Sequence, residues 1–332
     1  MQYKTKILGT GKYLPKKVLT NFDIEKIVDT SDQWIFERTG IKERRISNPE
    51  GGELPSDMAA MASENALNAA NLTPNDIDLI ILSTVFPDYR LPCTTSVVME
   101  KLGMTKQCPG IDISPACSGF VYGVHIAESF IRNGTYKNVL VIGTEKLSGG
   151  LNWKDRSTCI LFGDGCGAAV LGRAPEGDKS EILSSVIQTD HTGGKFLHMK
   201  EGGAAIPFSK EILEEDDHYI KMAGRDLFKV ATRTLSDNAK EAIEKANLKL
   251  SDIKWMVPHQ ANIRIIEKCG ELLGIPSEKV IVNIQKYGNT SAATIPIAFH
   301  EAIEEGKIKR GDLVLFNAFG AGVTSGATVL RY

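Results

Sequence analysis

Nowhere in the 332 residues is there a run of 18 apolar side chains, so no membrane-spanning helix is expected. Residues Met1 to Thr10 carry two lysines but no apolar core of the signal-peptide kind, so no export signal is expected either. Surplus charge is missing too. Lys and Arg number 39 against 41 Asp and Glu, a balance of −2, which argues against nucleic-acid binding because phosphate contacts need clustered cations. The six cysteines, at 93, 108, 117, 159, 166 and 269, form no Cys-x-x-Cys pair, and no histidine cluster has zinc spacing. No metal site, redox cofactor or disulfide framework is therefore expected; free thiols in a reducing cytoplasm are.

Phosphate-binding and hydrolase signatures are also absent. Gly9-Thr10-Gly11 lacks the third glycine of a dinucleotide fingerprint, and there is no P-loop, zincin or Gly-x-Ser-x-Gly motif. The 31 glycines crowd into stretches such as Gly163–Gly167 and Gly320–Gly326, which read as tight turns between buried elements. With 42% hydrophobic and 24% charged residues, the chain has ordinary globular composition at a length suited to about two domains.

What is present is a faint duplication. Ala70-Asn71-Leu72 followed by Asp76-Ile77 recurs as Ala246-Asn247-Leu248 followed by Asp252-Ile253, before the strand-like runs Leu79–Val85 and Trp255–Val257. Further pairs follow in the same order. Leu102-Gly103-Met104 matches Leu273-Gly274-Ile275, and Gly110–Ser114 matches Val280–Ile284 as a strand. Helical stretches end in Asn133-Gly134 and Glu305-Gly306, and Gly167–Leu171 mirrors Gly326–Leu330. Each half reads as alternating strands and helices, so a layered α/β architecture is expected, with 1–172 as one half and 173–332 as the other.

Three side chains carry candidate chemistry. Cys117 follows the run Asp112-Ile113-Ser114-Pro115-Ala116 and precedes helically spaced Phe120, Val121, Val124, Ala127, Phe130 and Ile131. It thus falls at a strand-to-helix turn, where unpaired backbone N–H groups favour a thiolate. By residue type alone it is equally a small buried apolar group. His259 ends a strand-like run in Val257-Pro258-His259-Gln260-Ala261-Asn262, and Asn289 precedes the helix-like Ile295–Ile303. Asn289 lies 172 residues beyond Cys117, which predicts that the two occupy equivalent positions in the two halves.

Pro115-Ala116-Cys117-Ser118-Gly119-Phe120, Pro258-His259-Gln260-Ala261-Asn262-Ile263-Arg264 and Gly288-Asn289-Thr290-Ser291-Ala292 resemble the three active-site motifs of the β-ketoacyl-acyl-carrier-protein synthase III family. Flanking matches at Ser31–Ile41 and Asp155–Gly165 extend the likeness over nearly the whole chain. The resemblance implies a thiolase-like fold, two related halves in a layered αβαβα arrangement, and a homodimer. It implies decarboxylative condensation of an acyl-CoA primer, acetyl-CoA in the simplest case, with malonyl-acyl-carrier protein to start fatty acid synthesis. A related thiolase-fold acyltransferase of specialised metabolism is the alternative. By the same likeness Cys117 is the acylated nucleophile, and His259 and Asn289 stabilise the malonyl enolate. Backbone amides of Cys117 and of Gly320, Ala321 and Gly322 meet the oxyanion. CoA falls to Trp34, Arg38, Arg156 and Asn262. The acyl carrier protein falls to Gln260, Ala261, Asn262, Ile263, Arg264, Lys229 and Lys268. The chain departs from the pattern at Leu91, at Glu271-Leu272, at Ala321 and at Ser325, positions bearing on primer length, carrier docking and pocket shape.

Overall fold

A computed structural model describes residues 2–200, 202–209 and 218–332. Strand Leu79–Ser83 is apolar along almost its whole length because both its faces are covered. Leu79 and Ile81 point one way into a central core, while Ile80 and Leu82 point the other way onto helices Pro55–Ala70 and Thr94–Lys101. Strand Asn138–Lys146 alternates likewise, Val139 and Val141 inward, Leu140 and Ile142 outward. These strands belong to a five-stranded sheet ordered Thr5–Tyr13, Asp164–Arg173, Asn138–Lys146, Leu79–Ser83, Gly110–Ile113.

A second sheet repeats the plan: Glu181–Thr189, Thr324–Arg331, Leu313–Gly320, Trp255–Pro258. The order matches, and so do the senses, antiparallel, antiparallel, then parallel. Its outer face carries helices Gly224–Lys245 and Ile263–Leu273. Between the sheets lie helices Gly119–Arg132 and Thr294–Glu304, one from each half. The result is the five-layered αβαβα arrangement expected of a thiolase-like fold. Phe316 of the second sheet stands 6.0 Å from Phe120 and 4.9 Å from Phe299, so one ring packs on both central helices.

The Ala-Asn-Leu repeat proves to be a shared helix stop. Asn71 and Asn247 adopt left-handed φ values of 53° and 54°, and the following Leu72 and Leu248 amides bond back to Leu67 O and Ile243 O. Two expectations need correction. Val280–Ile284 is no strand: Val280 makes a single bridge to Met256, and the Asn283 amide is diverted to the Gln260 side chain. Glycines 165 and 167 lie within strand Asp164–Arg173 instead of in a turn. A Cβ on Gly167 would sit 2.7 Å from Pro296 Cβ, so glycine serves there to let a central helix approach.

The matching of Asn289 with Cys117 also shifts. The central helices start at Gly119 and Thr294, each behind a one-turn segment, Ala116–Ser118 and Ser291–Ala293, that opens on a left-handed residue. Cys117 therefore corresponds to Ala292, and Asn289 stands just before its turn. The second turn closes onto bare backbone of the first half at Gly143, where a Cβ would meet Ala292 O at 2.4 Å. Gly143→Ala should therefore cost about 1–3 kcal/mol of stability, measured by urea unfolding, as overpacking does in a filled interior. An unchanged midpoint would show that the turn can retreat freely.

Candidate active site

Strand Gly110–Ile113 delivers the chain to Pro115, and the turn Ala116–Ser118 feeds the central helix. Ala116 holds φ at +47°, a strained setting for a residue with a side chain. The second half clamps this turn. Thr324 Oγ1 donates to Pro115 O at 2.6 Å, and Ser118 Oγ donates to Thr324 O at 3.0 Å. Gly320 lies so close that a Cβ there would stand 2.7 Å from Cys117 N. Cys117 is thus a buried thiol at a helix N-terminus, with second-half backbone beside it.

The helix end does not make it a resting thiolate. Burial pushes the Cys117 thiol up to about 12, opposed by a hydrogen bond from Ser291 and reinforced by the charge of Glu145. Desolvation outweighs the helix terminus. Exposed Cys93 has the opposite setting: hydrogen bonds from Thr95 and Ser96 lower its thiol.

His259 follows strand Trp255–Pro258, its backbone amide bonding Asn317 O at 2.8 Å. Burial lowers its imidazole to about 3, so the ring is neutral. Its Nδ1 lies 2.7 Å from Thr294 Oγ1, the first residue of the second central helix. The Thr294 hydroxyl has one hydrogen for two acceptors, Ser291 O at 3.0 Å or His259 Nδ1. Donation to Nδ1 leaves the imidazole proton on Nε2. Asn289 is fixed as firmly: its backbone pairs with Leu161 and Gly163, and its Oδ1 accepts from Ser291 N at 2.8 Å. That bond commits the acceptor and leaves the amide donors to the cavity that Asn289 lines.

Two cavities meet at Cys117. One, of about 490 Å³, is lined by Cys117, His259, Asn289 and Gly320 at its floor and by Arg38, Arg225, Lys229 and Arg264 at its mouth. The other, of about 550 Å³, runs from Cys117 and Ser291 past Phe86, Leu147 and Ile220 to Tyr89 and Phe208. The nucleophile candidate can therefore be reached from two sides. Ala321 lines the second cavity, whereas Gly322 is among the lining residues of neither.

At the mouth, Ser31 caps helix Asp32–Thr39 through Trp34 N, and Arg38 and Arg156 both lie against the Trp34 ring, at 4.4 and 5.1 Å. The adenine that the resemblance implies between Arg156 and Trp34 would need roughly 7 Å, two contacts of about 3.5 Å, so Arg156 would have to swing outward from its bond to Asp29 O. Asn262 caps helix Ile263–Leu273 through Arg264 N and ties it to Arg38 O at 3.0 Å.

Several carrier candidates are not free surface. Gln260 is buried, its amide spent on Pro258 O, Ile281 O and Asn283 N, so it braces the interior and cannot meet a partner. Ile263 packs on Gly40. Lys268 is held 2.9 Å from both Glu271 oxygens, away from the mouth. Ala261, Asn262, Arg264 and Lys229 do line the mouth. Arg225 and Phe228 were missed, although Arg225 stands one turn before Lys229 on the same helix. Among the described residues no cluster of His, Cys, Asp and Glu is placed to hold a metal ion, and no helix is long and apolar enough to cross a membrane.

Comparison with known proteins agrees over the whole length. The family model for 3-oxoacyl-[acyl-carrier-protein] synthase III matches residues 111–191, and the model for its C-terminal part matches 243–332. The chain is 54% identical to the β-ketoacyl-[acyl-carrier-protein] synthase III of Aquifex aeolicus, covering 99% of both chains. It is 51% identical to the enzyme of the same name from Caldanaerobacter subterraneus, over 98% of this chain and 97% of that one. The crystal structure of the Aquifex aeolicus 3-oxoacyl-[acyl-carrier-protein] synthase III superposes with a TM-score of 0.91, covering 99% of this chain and 100% of that one at 53% identity.

Burial disfavours the imidazolium, so His259 should stay neutral far below the ordinary range. Its ring resonances, assigned by their loss in His259→Gln, should hold constant from pH 8 to pH 5 in histidine-labelled protein. An inflection near pH 6.5 would mean a solvated ring.

Proposed function

This chain belongs to the 3-oxoacyl-[acyl-carrier-protein] synthase III family, and from that premise we propose how its two cavities divide one reaction. The enzyme is an acyltransferase that condenses an acyl-CoA primer with malonyl-acyl-carrier protein to a 3-oxoacyl-acyl-carrier protein, starting fatty acid synthesis. In our reading Cys117 attacks the primer thioester, forming acyl-Cys117 and releasing CoA, with the acyl chain in the second cavity. Malonyl-carrier then presents its arm through the first cavity. Carbon dioxide leaves, its bonding pair becomes the enolate, and the enolate carbon attacks acyl-Cys117, whose C–S bond breaks as the C–C bond forms. His259 Nε2–H and the Asn289 amide donate to the enolate oxygen. The Cys117 amide, beside Gly320, meets the oxyanion, while Ala321 and Gly322 shape the loop behind it.

The observation that carries this reading is the meeting of Cys117, His259 and Asn289 on one cavity floor, with a second cavity opening at the same sulfur. The proposed steps draw their electrons from the malonyl C–C bond, so the chemistry calls for no cofactor. Trp34, Arg38 and Arg156 suit the nucleotide end of CoA, and Arg38, Arg225, Lys229 and Arg264 form a basic collar for an acidic carrier. Tyr89 and Phe208, at the far end of the second cavity, are 56 and 58% exposed, and Leu91, two residues beyond Tyr89, is 87% exposed, which supports a homodimer covering that end. Six free thiols support a cytoplasmic setting.

The half-reactions are separable. His259→Ala and Asn289→Ala should each slow decarboxylation of malonyl-carrier about 100-fold or more, the scale of one lost oxyanion donor. Acylation of Cys117, read by intact-protein mass, should fall much less. Parent-rate decarboxylation in both variants would remove the enolate assignment.

Arg264 shares the collar with Arg225 and Lys229, so no single cation dominates it. Arg264→Glu should raise the apparent KM for malonyl-carrier roughly two- to fivefold, with the effect shrinking at high salt and acylation by CoA primer unchanged. Equal losses in both half-reactions would instead indicate a disturbed fold.

A further inference from the structure

The steps above leave open where the Cys117 proton goes. Glu145, at the end of strand Asn138–Lys146, is fully buried, and its charge reaches Cys117. Ser291 lines the second cavity together with Cys117 and acts on its thiol. Its Oγ donates to Glu145 Oε1 at 3.0 Å. A serine has one hydroxyl hydrogen, so while that hydrogen points to Glu145 its lone pairs are free to accept the thiol hydrogen. The other Glu145 partners are donors as well: Thr84 Oγ1 at 3.2 Å, Val85 N at 3.1 Å and the Ala292 amide. Ser291 is held at φ +49°, so backbone strain is spent on placing this hydroxyl.

We propose that Glu145 stores the Cys117 proton during acylation, receiving it through the Ser291 hydroxyl. The inference rests on Cys117 being the nucleophile. The S–H bond breaks as Ser291 Oγ takes that proton, and the Ser291 O–H bond breaks as its own proton passes to Glu145 Oε1. The electron pair stays on sulfur, and thiol plus carboxylate become thiolate plus carboxylic acid, with no change in net charge. The thiolate then displaces CoA thiolate from the primer, and the departing CoA takes a proton from water. When condensation expels the Cys117 thiolate, Glu145 returns the stored proton by the same path. The cycle takes one proton from solvent, which is the one that decarboxylation of a malonyl carboxylate requires.

Burial pushes Glu145 up to about 7, making it a stronger base than an ordinary carboxylate, and its protonation removes the charge that holds the thiol up. The titratable groups facing it are few. Cys166, on the adjoining strand, is also pushed up by burial, and His259 is neutral. Lys146 is its chain neighbour, and Asp164 opposite Lys146 turns to Ser47 and Ser148. Helix Pro55–Ala70 brings Asp57, paired with Lys101, and exposed Glu64; the loop after Leu79–Ser83 brings Asp88, bonded to Ser56, and Arg90. The central helices keep their own groups in later turns: His125, Glu128 and Arg132 on one, His300, Glu301 and Glu304 on the other.

The test is the rate of Cys117 acylation by an acyl-CoA from pH 5.5 to 9.5, in the parent, in Glu145→Gln and in Ser291→Ala. In the parent the rate should rise through an ionisation near pH 7 and then level, because the singly protonated pair supplies a constant share of thiolate. Glu145→Gln should lose the plateau and rise about tenfold per pH unit, as direct thiol ionisation demands, while Ser291→Ala, which keeps the acceptor and loses the relay, should keep the plateau at a lower height. The Glu145→Gln deficit against the parent should therefore shrink about 100-fold from pH 7 to pH 9. A merely structural role of Glu145 lowers the rate without changing the shape of the profile. A retained plateau in Glu145→Gln, a parent-height plateau in Ser291→Ala, or no ionisation near pH 7 in the parent, overturns the proposal. Failure of the parent to acylate Cys117 at all would instead overturn the nucleophile assignment beneath it.

Discussion

The turns Ala116–Ser118 and Ser291–Ala293 are held against each other in the middle of the molecule, and every buried group of the site takes its place from that contact. Bare backbone at Gly143 and Gly119 lets Ala292 come close from the other half, where any side chain would collide. Behind the turns, the two central helices are locked by Phe120, Phe299 and Phe316 between the sheets. Interiors are packed too densely for such turns to drift, so the two helix starts face each other as a consequence of core packing. Cys117 rides on one turn; Ser291 rides on the other, with Asn289 just before it and Thr294, the partner of His259, just after it.

Desolvation then sets the chemistry. The same burial leaves the cysteine a thiol, leaves the histidine neutral and makes a carboxyl basic, each by disfavouring its charged form. A neutral imidazole and an amide are suited to steadying an enolate without taking a proton from it. A thiol so far from its ordinary range needs a local proton acceptor, and the Ser291–Glu145 pair is the group within reach. In this reading the site separates two tasks, proton handling on the Glu145 side and carbonyl stabilisation on the His259 and Asn289 side.

The mouth follows different rules. Its cations come from three helices, Asp32–Thr39, Gly224–Lys245 and Ile263–Leu273, and they remain exposed where water weakens each one. Several cations of this kind steer and orient a charged partner together, though each contributes little alone. Substitution at Glu271-Leu272 is consistent with such a surface, because Lys268 is already neutralised there and the collar lies elsewhere.

Much was legible in the chain itself. The two-part plan showed in the Ala-Asn-Leu repeat because a helix stop is a local structure, written in adjacent residues. The nucleophile, histidine and asparagine stood out because their motifs are contiguous. Other features depend on residues far apart. Gln260 looks like an exposed polar residue until its amide is found bonded to Ile281 and Asn283, and glycines 165 and 167 look like a turn until Ile297 is seen beside the first and Pro296 packed on the second. Glu145 and Ser291 are 146 residues apart, and no spacing links them. Residue types and local periodicity are properties of the chain, so the sequence determined the layers and the reacting groups. Ionisation depends on how much water the completed fold removes and on which dipoles it leaves nearby, and that only the tertiary structure decided.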